Sequence, residues 1–295
     1  MRYLPPRQLD VFVHAAESGS LRRAADRLHL TQPAASMALA ELERALGGPL
    51  FARVRGRLRL NPRGQRLLPL ARELLERQAE LVRAAHDETA VGGELRIGAS
   101  NTVGNYLIGD LLGGFVRAHP QVQLRLQVGN TEAILAALAE HRLDAACVEG
   151  PVAAPALASH PWRRDRLVVC AAPDHPLARR RRLRAQDFAG QRWILRERGS
   201  ATRQLGEQAL AALPAPAAVL ELDQTEAVKQ AVAAGLGLAW LPEVAVRDAV
   251  ACGRLRVLAT PFLALERQLR LAWRREGYRS PALAALLDGL GAGGA

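Results

Sequence analysis

The spacing of apolar residues changes near Gly92-Gly93, and one architecture cannot satisfy both spacings. Before this point apolar residues recur every three or four positions, as at Leu9, Phe12 and Ala16, which predicts helices. After it, short apolar runs alternate with helical patterns, which predicts open, largely parallel α/β sheets. About 200 residues follow the change, and this length favours two lobes. The apolar runs lie at 95–99, 122–126, 145–148, 167–170, 193–195, 219–222 and 238–241.

The segment from Leu21 to Leu46 fits two helices around a short turn. Ser20 is a good N-cap for the first helix and Thr31 for the second. Because Ala24 and Ala25 let the helices approach closely, the pair predicts a helix-turn-helix whose second helix enters a DNA major groove. A plain helical hairpin with ordinary caps is the alternative. The predicted DNA contacts are the short polar residues at the exposed start of the second helix, Thr31, Gln32, Pro33 and Ser36.

The next segment adds positive charge to this region. Between Arg44 and Arg72 there is no Asp or Glu, and arginines alternate with other residues around Gly56, which predicts two short strands and a tight turn. The net charge of +11 also indicates a polyanionic partner. Beside a helix-turn-helix, this hairpin is predicted to contact phosphates or the minor groove. A solvated face is the alternative, and it is the preferred interpretation of the arginine run at 179–184. The predicted contacts of the hairpin are Arg53, Arg55 and Arg57.

A long helix is predicted to follow the hairpin. Asn61-Pro62 forms an N-cap and first-turn pair, and the helical pattern continues to about Glu88. Its apolar stripe is narrow, with Leu67, Leu74 and Leu81 among its members. A helix this long needs a partner surface, and a second copy of itself is the expected partner.

Hydroxyl groups follow several predicted strands in the second part of the chain. In open α/β sheets, ligands bind beyond the carboxyl ends of strands, where helix N-termini present free N–H groups to an anion. Arg198 and Arg203 add positive charge near one of these strand ends. Each hydroxyl alone is an ordinary N-cap, but four such strand ends favour a shared cleft. The candidates are Ser100, Asn101, Thr102, Thr131, Ser200, Thr202 and Thr225.

The segments 20–25, 28–36, 42–51 and 60–64 resemble, in order and spacing, the LysR-type transcriptional regulators. This resemblance implies a multidomain fold: an all-α winged helix-turn-helix with a long linker helix, followed by a two-lobed α/β effector domain resembling periplasmic binding proteins. It also implies a dimer through the linker helix and a tetramer in the cell. The partners are then double-stranded promoter DNA, a small-molecule effector and further copies of the chain.

Segments 100–107, 128–131, 148–151 and 196–203 resemble the branch of that family that regulates sulfur assimilation, sulfite response and carbon fixation. The resemblance implies a small anionic effector, an oxyanion or a metabolite, and carries over the cleft hydroxyls as its contacts. The expected domains are 1–65 for DNA binding, 66–90 for the linker helix and 91–295 for the effector. Within the last, lobe I spans about 94–161 and 266–295, and lobe II about 162–265, so the chain crosses twice and forms a hinge.

Other classes of function find less support in the sequence. An enzyme acting on a small acidic metabolite is the main rival, but the sequence has no Gly-x-Ser-x-Gly elbow, phosphate-binding loop or metal-ligand cluster. Cys147, Cys170 and Cys252 are scattered and are interpreted as small core residues, so neither a disulfide framework, a metal nor a cofactor is expected. No apolar run reaches the roughly 18 residues that cross a bilayer, so the expected location is cytoplasmic, without membrane contact. A ligand-binding protein with a vestigial DNA head is a third possibility, disfavoured by the intact helix start.

Overall fold

The computed structural model describes residues 4–54, 57–85 and 91–292. They form two compact units that divide between Gly93 and Glu94. The first unit is mainly helical, as predicted, and carries one hairpin. Its elements are α1 (Pro6–Ser18), α2 (Leu21–Arg27), α3 (Gln32–Leu46), β1 (Phe51–Val54), β2 (Arg57–Leu60) and α4 (Pro62–Ala85).

Local sequence signals set the helix boundaries of the first unit. Ser20 Oγ accepts the Arg23 N–H at the start of α2, and Thr31 Oγ1 accepts the Ala34 N–H at the start of α3. Gly47 ends α3 in the left-handed region, with φ of 83°, where a side chain would be strained. These caps confirm the predicted helix-turn-helix boundaries.

The core of the first unit joins the helices to the hairpin. Phe12 of α1 and Leu42 of α3 are fully buried together with Leu50, which precedes β1. The Phe12 and Phe51 rings meet edge to face with centroids 5.7 Å apart. This aromatic contact fixes the position of β1 against α1.

Helix α4 leaves apolar side chains uncovered within its own chain. Leu70, Leu74, Leu81 and Val82 are exposed, Leu81 to 71%. The helix is described to Ala85, and the end predicted near Glu88 lies outside the described residues.

The second unit contains one nine-stranded sheet with helices packed on it. The strand order is β4-β3-β5-β11-β6-β9-β7-β8, and β10 pairs with β6. The strands are β3 (Gly93–Ser100), β4 (Val122–Gly129), β5 (Ala145–Glu149), β6 (Leu157–Ala171), β7 (Arg192–Arg196), β8 (Ala218–Leu222), β9 (Leu238–Pro242), β10 (Arg256–Leu258) and β11 (Glu266–Arg274). The helices are α5 (Ile108–Ala118, after a π-turn at Val103–Leu107), α6 (Thr131–Ala139), α7 (Ala201–Leu210), α8 (Thr225–Ala233), α9 (Glu243–Ala251) and α10 (Pro281–Gly289), with short 3₁₀ turns at Pro176–Arg179 and Ala185–Phe188.

The sheet is parallel within each lobe and antiparallel where the lobes join. β3 pairs in parallel with β5, and β7 in parallel with β8 and β9. β6 and β11 run antiparallel between these two groups and form a ribbon from one lobe to the other. We call the group of β3, β4 and β5 lobe I and the group of β7, β8 and β9 lobe II. The crossing ribbon is the element on which a hinge motion would depend.

Each lobe has its own core. In lobe II, the Trp193 and Trp240 rings stack with centroids 3.9 Å apart, and both are buried. In lobe I, Ile134 and Leu138 of α6 pack on the sheet. Cys147 and Cys170 are core residues as predicted, but the prediction is wrong for Cys252, which is exposed because it caps the surface end of α9. Within the described ranges, no helix combines the length and apolar character of a membrane span.

Candidate functional site

The start of α3 is uncovered within its own unit. The four predicted contact residues of this helix are all exposed, namely Thr31, Gln32, Pro33 and Ser36. The opposite face of α3 is buried through Leu39 and Leu42. Because Thr31 accepts a backbone N–H through its oxygen, its hydroxyl hydrogen is free to donate to a phosphate. This end of the helix also presents a positive dipole to an anion.

The hairpin register separates arginines that alternate in the sequence. Arg53 lies opposite Leu58 and Arg59 opposite Ala52, so Arg53 and Arg59 project from opposite faces of the hairpin. Both are exposed. The backbone of Arg57 belongs to β2, and Arg55 lies outside the described residues. The arginines of the hairpin are therefore divided between its two faces.

In the second unit, a buried ion cluster lies where several predicted effector residues meet. The side chain of Arg267 is 5% exposed and donates to Thr202 Oγ1 at 2.9 Å and Thr102 Oγ1 at 3.1 Å. It pairs with Asp165, with 2.7 Å between Nε and Oδ2, and lies 3.7 Å from a carboxylate oxygen of Glu149. Thr102 belongs to lobe I and Thr202 to lobe II. A single guanidinium therefore connects both lobes.

Glu149 ends β5 at the centre of this cluster and is 4% exposed. Burial acts to raise the pKa of its carboxyl, but the charge of Arg267 and the hydroxyls of Thr102, Thr131 and Ser100 lower the pKa below its usual value overall. Thr131 Oγ1 donates to Glu149 at 2.9 Å. Glu149 is thus ionised at neutral pH, and three of the predicted effector hydroxyls face it.

A second buried arginine lies under Thr225. Arg196 is 3% exposed, donates to Thr225 Oγ1 at 2.8 Å and pairs with its neighbour Glu197 at 2.7 Å. Helix α8 begins at Thr225, and within the described residues Gln224 makes no side-chain cap to its first N–H groups. The start of α8 therefore keeps free donors beside a buried cation.

The seven predicted effector residues divide into two groups by hydrogen bonding. Thr202 and Thr225 each accept from an arginine, which leaves the hydroxyl hydrogen to donate elsewhere. Ser100 is 1% exposed, and its hydroxyl lies close enough to Glu149 to lower the pKa of that carboxyl, although it makes no hydrogen bond of ordinary geometry within the described residues. The remaining four hold structure: Asn101 donates to the Gly129 carbonyl, Thr102 and Thr131 bond to Glu149, and Ser200 caps α7.

The lobes also touch at the rim of the cleft. The Tyr106 hydroxyl of lobe I donates to the Glu226 carboxylate of lobe II. The Glu132 N–H donates to the Gly199 carbonyl at 3.1 Å. These two contacts join lobe I to lobe II, so the cleft is in a closed arrangement.

Sequence reasoning missed the charged residues of the cluster, because it searched for hydroxyls at strand ends. A carboxylate such as Glu149 at the end of a fully apolar strand is a signal that could have been used. No comparable signal marks Arg267, which lies in a polar segment. Arg203, which the sequence analysis counted as positive charge near the cleft, pairs with Glu207 and Glu221.

The first unit is a helix-turn-helix whose second helix is exposed, and the second unit is a two-lobed domain with a buried polar cleft. This combination is typical of a DNA-binding regulator that has a domain for binding a small molecule. Comparison with known proteins agrees with this class. The model of the bacterial regulatory helix-turn-helix protein, lysR family, matches residues 6–65, and that of the LysR substrate binding domain matches residues 88–294.

Two named relatives match nearly the whole chain, and a solved regulatory domain matches part of it. The chain is 39% identical over 286 residues to the "uncharacterized HTH-type transcriptional regulator YeiE" of Escherichia coli K12, covering 96% of this chain and 95% of that one. It is 33% identical over 284 residues to the RuBisCO operon transcriptional regulator of Allochromatium vinosum, with 96% and 94% covered. The regulatory domain of CcmR from Synechocystis PCC6803, solved in complex with 2-PG, is 29% identical with a TM-score of 0.62, covering 67% of this chain and 95% of that chain.

The chain therefore belongs to the LysR family of bacterial transcriptional regulators. It is a DNA-binding regulator rather than an enzyme. The match to a RuBisCO operon regulator agrees with the carbon-fixation branch that the sequence segments indicated.

Proposed function

We propose that this regulator binds a small anion in the cleft between its lobes and that this anion modulates its action at a promoter. The observation that carries the proposal is that Thr202 and Thr225, both buried, accept from buried arginines and keep their hydroxyl hydrogens to donate. A buried hydroxyl hydrogen without an acceptor is costly, and a ligand oxygen would supply the acceptor. The uncapped start of α8 supplies further N–H donors, and this set of donors suits an oxyanion or a carboxylate.

Arg267 gives the ligand a means of acting on the whole domain. It bonds to Thr102 in lobe I and Thr202 in lobe II, so an anion held by Thr202 stabilises the closed arrangement. A ligand shifts such an equilibrium only by its difference in affinity for the two states. Binding of 2-PG by the related CcmR domain supports a small-molecule effector here. In this proposal the ligand is an effector and no cofactor takes part.

A thermal-shift titration tests the cleft. Sulfate, sulfite, phosphate, bicarbonate and 2-PG are the probes, and at least one of them should raise the melting temperature of the wild type by the mass-action effect of binding. Ser100→Ala should abolish that rise. Ser159→Ala is the matched control, because Ser159 accepts from Arg270 outside the predicted contact set, and it should keep the rise. A rise that survives in Ser100→Ala would place the anion elsewhere.

We propose that the start of α3 reads base edges, with Thr31, Gln32, Pro33 and Ser36 at the groove and Arg53, Arg55 and Arg57 at phosphates. Gln32→Ala should weaken binding to the chain's own upstream promoter duplex by about 1–3 kcal/mol, since one good base contact has that value. Binding to random duplex should change little. The measurement is fluorescence anisotropy at fixed salt, with Gln208→Ala on the exposed side of α7 as control. Equal losses on promoter and random duplex would show that Gln32 does not read bases.

We further propose a homodimer through the exposed leucines of α4, and a tetramer built from two such dimers. Pairing would cover Leu70, Leu74 and Leu81, which the described part of this chain leaves exposed. A two-fold dimer reads half-sites about one helical turn apart, or a multiple of it. The domains in this proposal are residues 1–65 for DNA binding, 66–90 for the linker helix and 91–295 for the effector. Lobe I of the last spans about 94–161 and 266–295. Because its target is chromosomal DNA, the regulator acts in the cytoplasm.

A further inference from the structure

A second cavity, separate from the predicted effector residues, opens beside the crossing ribbon. Its volume is about 440 Å³, within the range of small-molecule sites. Leu107 of lobe I forms one side, the first turns of α9 in lobe II form another, and the ribbon of β6 and β11 forms the floor. None of the seven cleft residues predicted from the sequence lines it.

The ribbon register explains how one element serves two sites. Arg164 lies opposite Gln268 and Arg166 opposite Glu266, whereas Asp165 lies opposite Arg267. Because side chains alternate between the faces of a strand, the first two pairs share one face and the Asp165–Arg267 pair takes the other. Arg164 and Arg166 therefore project from one face of the ribbon. Asp165 and Arg267 also border the cavity, but their ion pair projects from the other face, towards the cleft hydroxyls.

The cavity contains more positive charge than its own acids neutralise. Of its five arginines, three are already paired: Arg267 with Asp165, Arg166 with Glu243, and Arg163 with Asp110 outside the cavity. Arg164 and Arg247 are exposed and make no hydrogen bond or short ion pair within the described ranges, although the charge of Arg247 helps to lower the pKa of Glu243, which is paired with Arg166.

Glu266 is the remaining acid, and its charge acts on the already paired Arg166. Two guanidinium groups, one on the crossing ribbon and one on α9, are thus left to bind a ligand. Guanidinium groups pair best with carboxylates and phosphates, where two parallel hydrogen bonds form.

We infer that this cavity is a second ligand site for a small anion with two acidic groups, a dicarboxylate or an organic phosphate. The ligand pairs with Arg164 on the crossing strand β6 and Arg247 on α9. Leu107 of lobe I packs against it, so binding fixes lobe II relative to the ribbon and to lobe I. The site is additional to the effector cleft, and its two ligand-binding arginines lie outside the predicted effector residues. Arg267 lines the cavity and also bonds to the cleft hydroxyls, so occupancy of either site affects affinity at the other, reciprocally.

Isothermal titration calorimetry of the full-length protein tests this site, with succinate and inorganic pyrophosphate as two-charge probes and acetate as the one-charge reference. The double variant Arg164→Gln/Arg247→Gln should weaken the better two-charge probe about tenfold or more, because each lost guanidinium removes a charge-assisted pair. The control is Arg179→Gln/Arg181→Gln, which removes the same charge from an exposed run that does not line the cavity. Its affinity should equal that of the wild type.

Ser100→Ala should also bind the probe normally, which separates this site from the cleft. Equal weakening in both double variants would show only general charge attraction and would overturn the inference. Loss of binding in Ser100→Ala alone would overturn it too, by assigning the probe to the cleft. Absence of saturable heat from both two-charge probes in the wild type would have the same result.

Discussion

Replacing Arg267 with alanine is expected to lower the free energy of unfolding of the second unit by about 3–5 kcal/mol. The reason is the burial of its two carboxylate partners. Arg267 is 5% exposed, Glu149 4% and Asp165 8%, so the substitution leaves two buried negative charges without their cation. Urea unfolding followed by tryptophan fluorescence is the measurement, because all four tryptophans belong to the second unit. Arg270→Ala, on the same strand and bonded only to Ser159 groups, is the control, with an expected loss of about 1 kcal/mol.

The pH dependence of this loss identifies its cause. In the wild type, the pKa of Glu149 is lowered, so its stabilising contribution is present above the unfolded value of 4.5 and is lost as the pH falls through the folded pKa. Without Arg267, burial dominates and raises the pKa of Glu149 above 4.5. The variant is then most stable with Glu149 protonated, and it loses stability as the pH rises from 4.5 through the raised pKa.

The difference between variant and wild type should therefore shrink from pH 7 towards pH 4.5. Adding Glu149→Gln to Arg267→Ala should recover part of the lost stability at pH 7, because the uncompensated charge is gone. A loss that is independent of pH, or no recovery in the double variant, would show that Arg267 acts by packing alone.

The features predicted correctly from the sequence are those that neighbouring residues determine. The caps at Ser20 and Thr31 and the exposure of Gln32 follow from local helix chemistry, and the structure has them. Apolar runs located β3, β5 and β9 because these strands are buried on both faces. Where the physical cause lies within a few residues, one sequence is sufficient.

The features that the sequence did not predict depend on distant parts of the chain. The ribbon of β6 and β11 was not fully recognised, because its central residues at 163–166 are charged and face two polar sites instead of a core. The pairing of Glu149 with Arg267 joins residues more than one hundred positions apart. The structure places only some of the predicted hydroxyls together, and several of them already bond to Glu149, Arg196 or Arg267. Burial and pairing, which decide what a hydroxyl offers a ligand, are properties of the folded chain.

Gly64→Ala is expected to destabilise the first unit by about 1–3 kcal/mol or more, the cost of forcing an atom into packed surroundings. A Cβ at Gly64 would lie 2.1 Å from the Leu50 carbonyl oxygen and 2.8 Å from Leu60 Cδ2. That carbonyl cannot easily move, because it accepts the Asn61 N–H at 3.0 Å where α4 begins. Helix α4 would have to move away from the strands of the hairpin. The expected change in stability is opposite in sign to the usual effect, since replacing glycine with alanine inside a helix normally stabilises a protein by about 0.5–1 kcal/mol.

Two spectroscopic probes separate the units in this experiment. Far-UV circular dichroism reports the helical first unit together with the rest, whereas tryptophan fluorescence reports the second unit alone. Gly64→Ala should lower the midpoint of the unfolding transition seen by circular dichroism and leave the midpoint seen by fluorescence unchanged. Gly114→Ala is the matched control, because a Cβ at this helical position meets nothing within 4 Å. It should cause no loss in either signal.

The same substitution should reduce DNA binding at temperatures where the chain is still folded. α4 is held to the turn before β1 through Asn61, whose amide donates to the Pro49 carbonyl at 2.8 Å and whose Oδ1 accepts the Gly64 N–H at 2.9 Å. Displacing α4 breaks this pair and moves the hairpin, and with it Arg53, relative to the start of α3. Promoter affinity measured by anisotropy should fall, and its dependence on salt should become shallower as a phosphate contact is lost. Unchanged affinity and salt dependence in a variant that is measurably destabilised would show that the hairpin makes no contact with DNA.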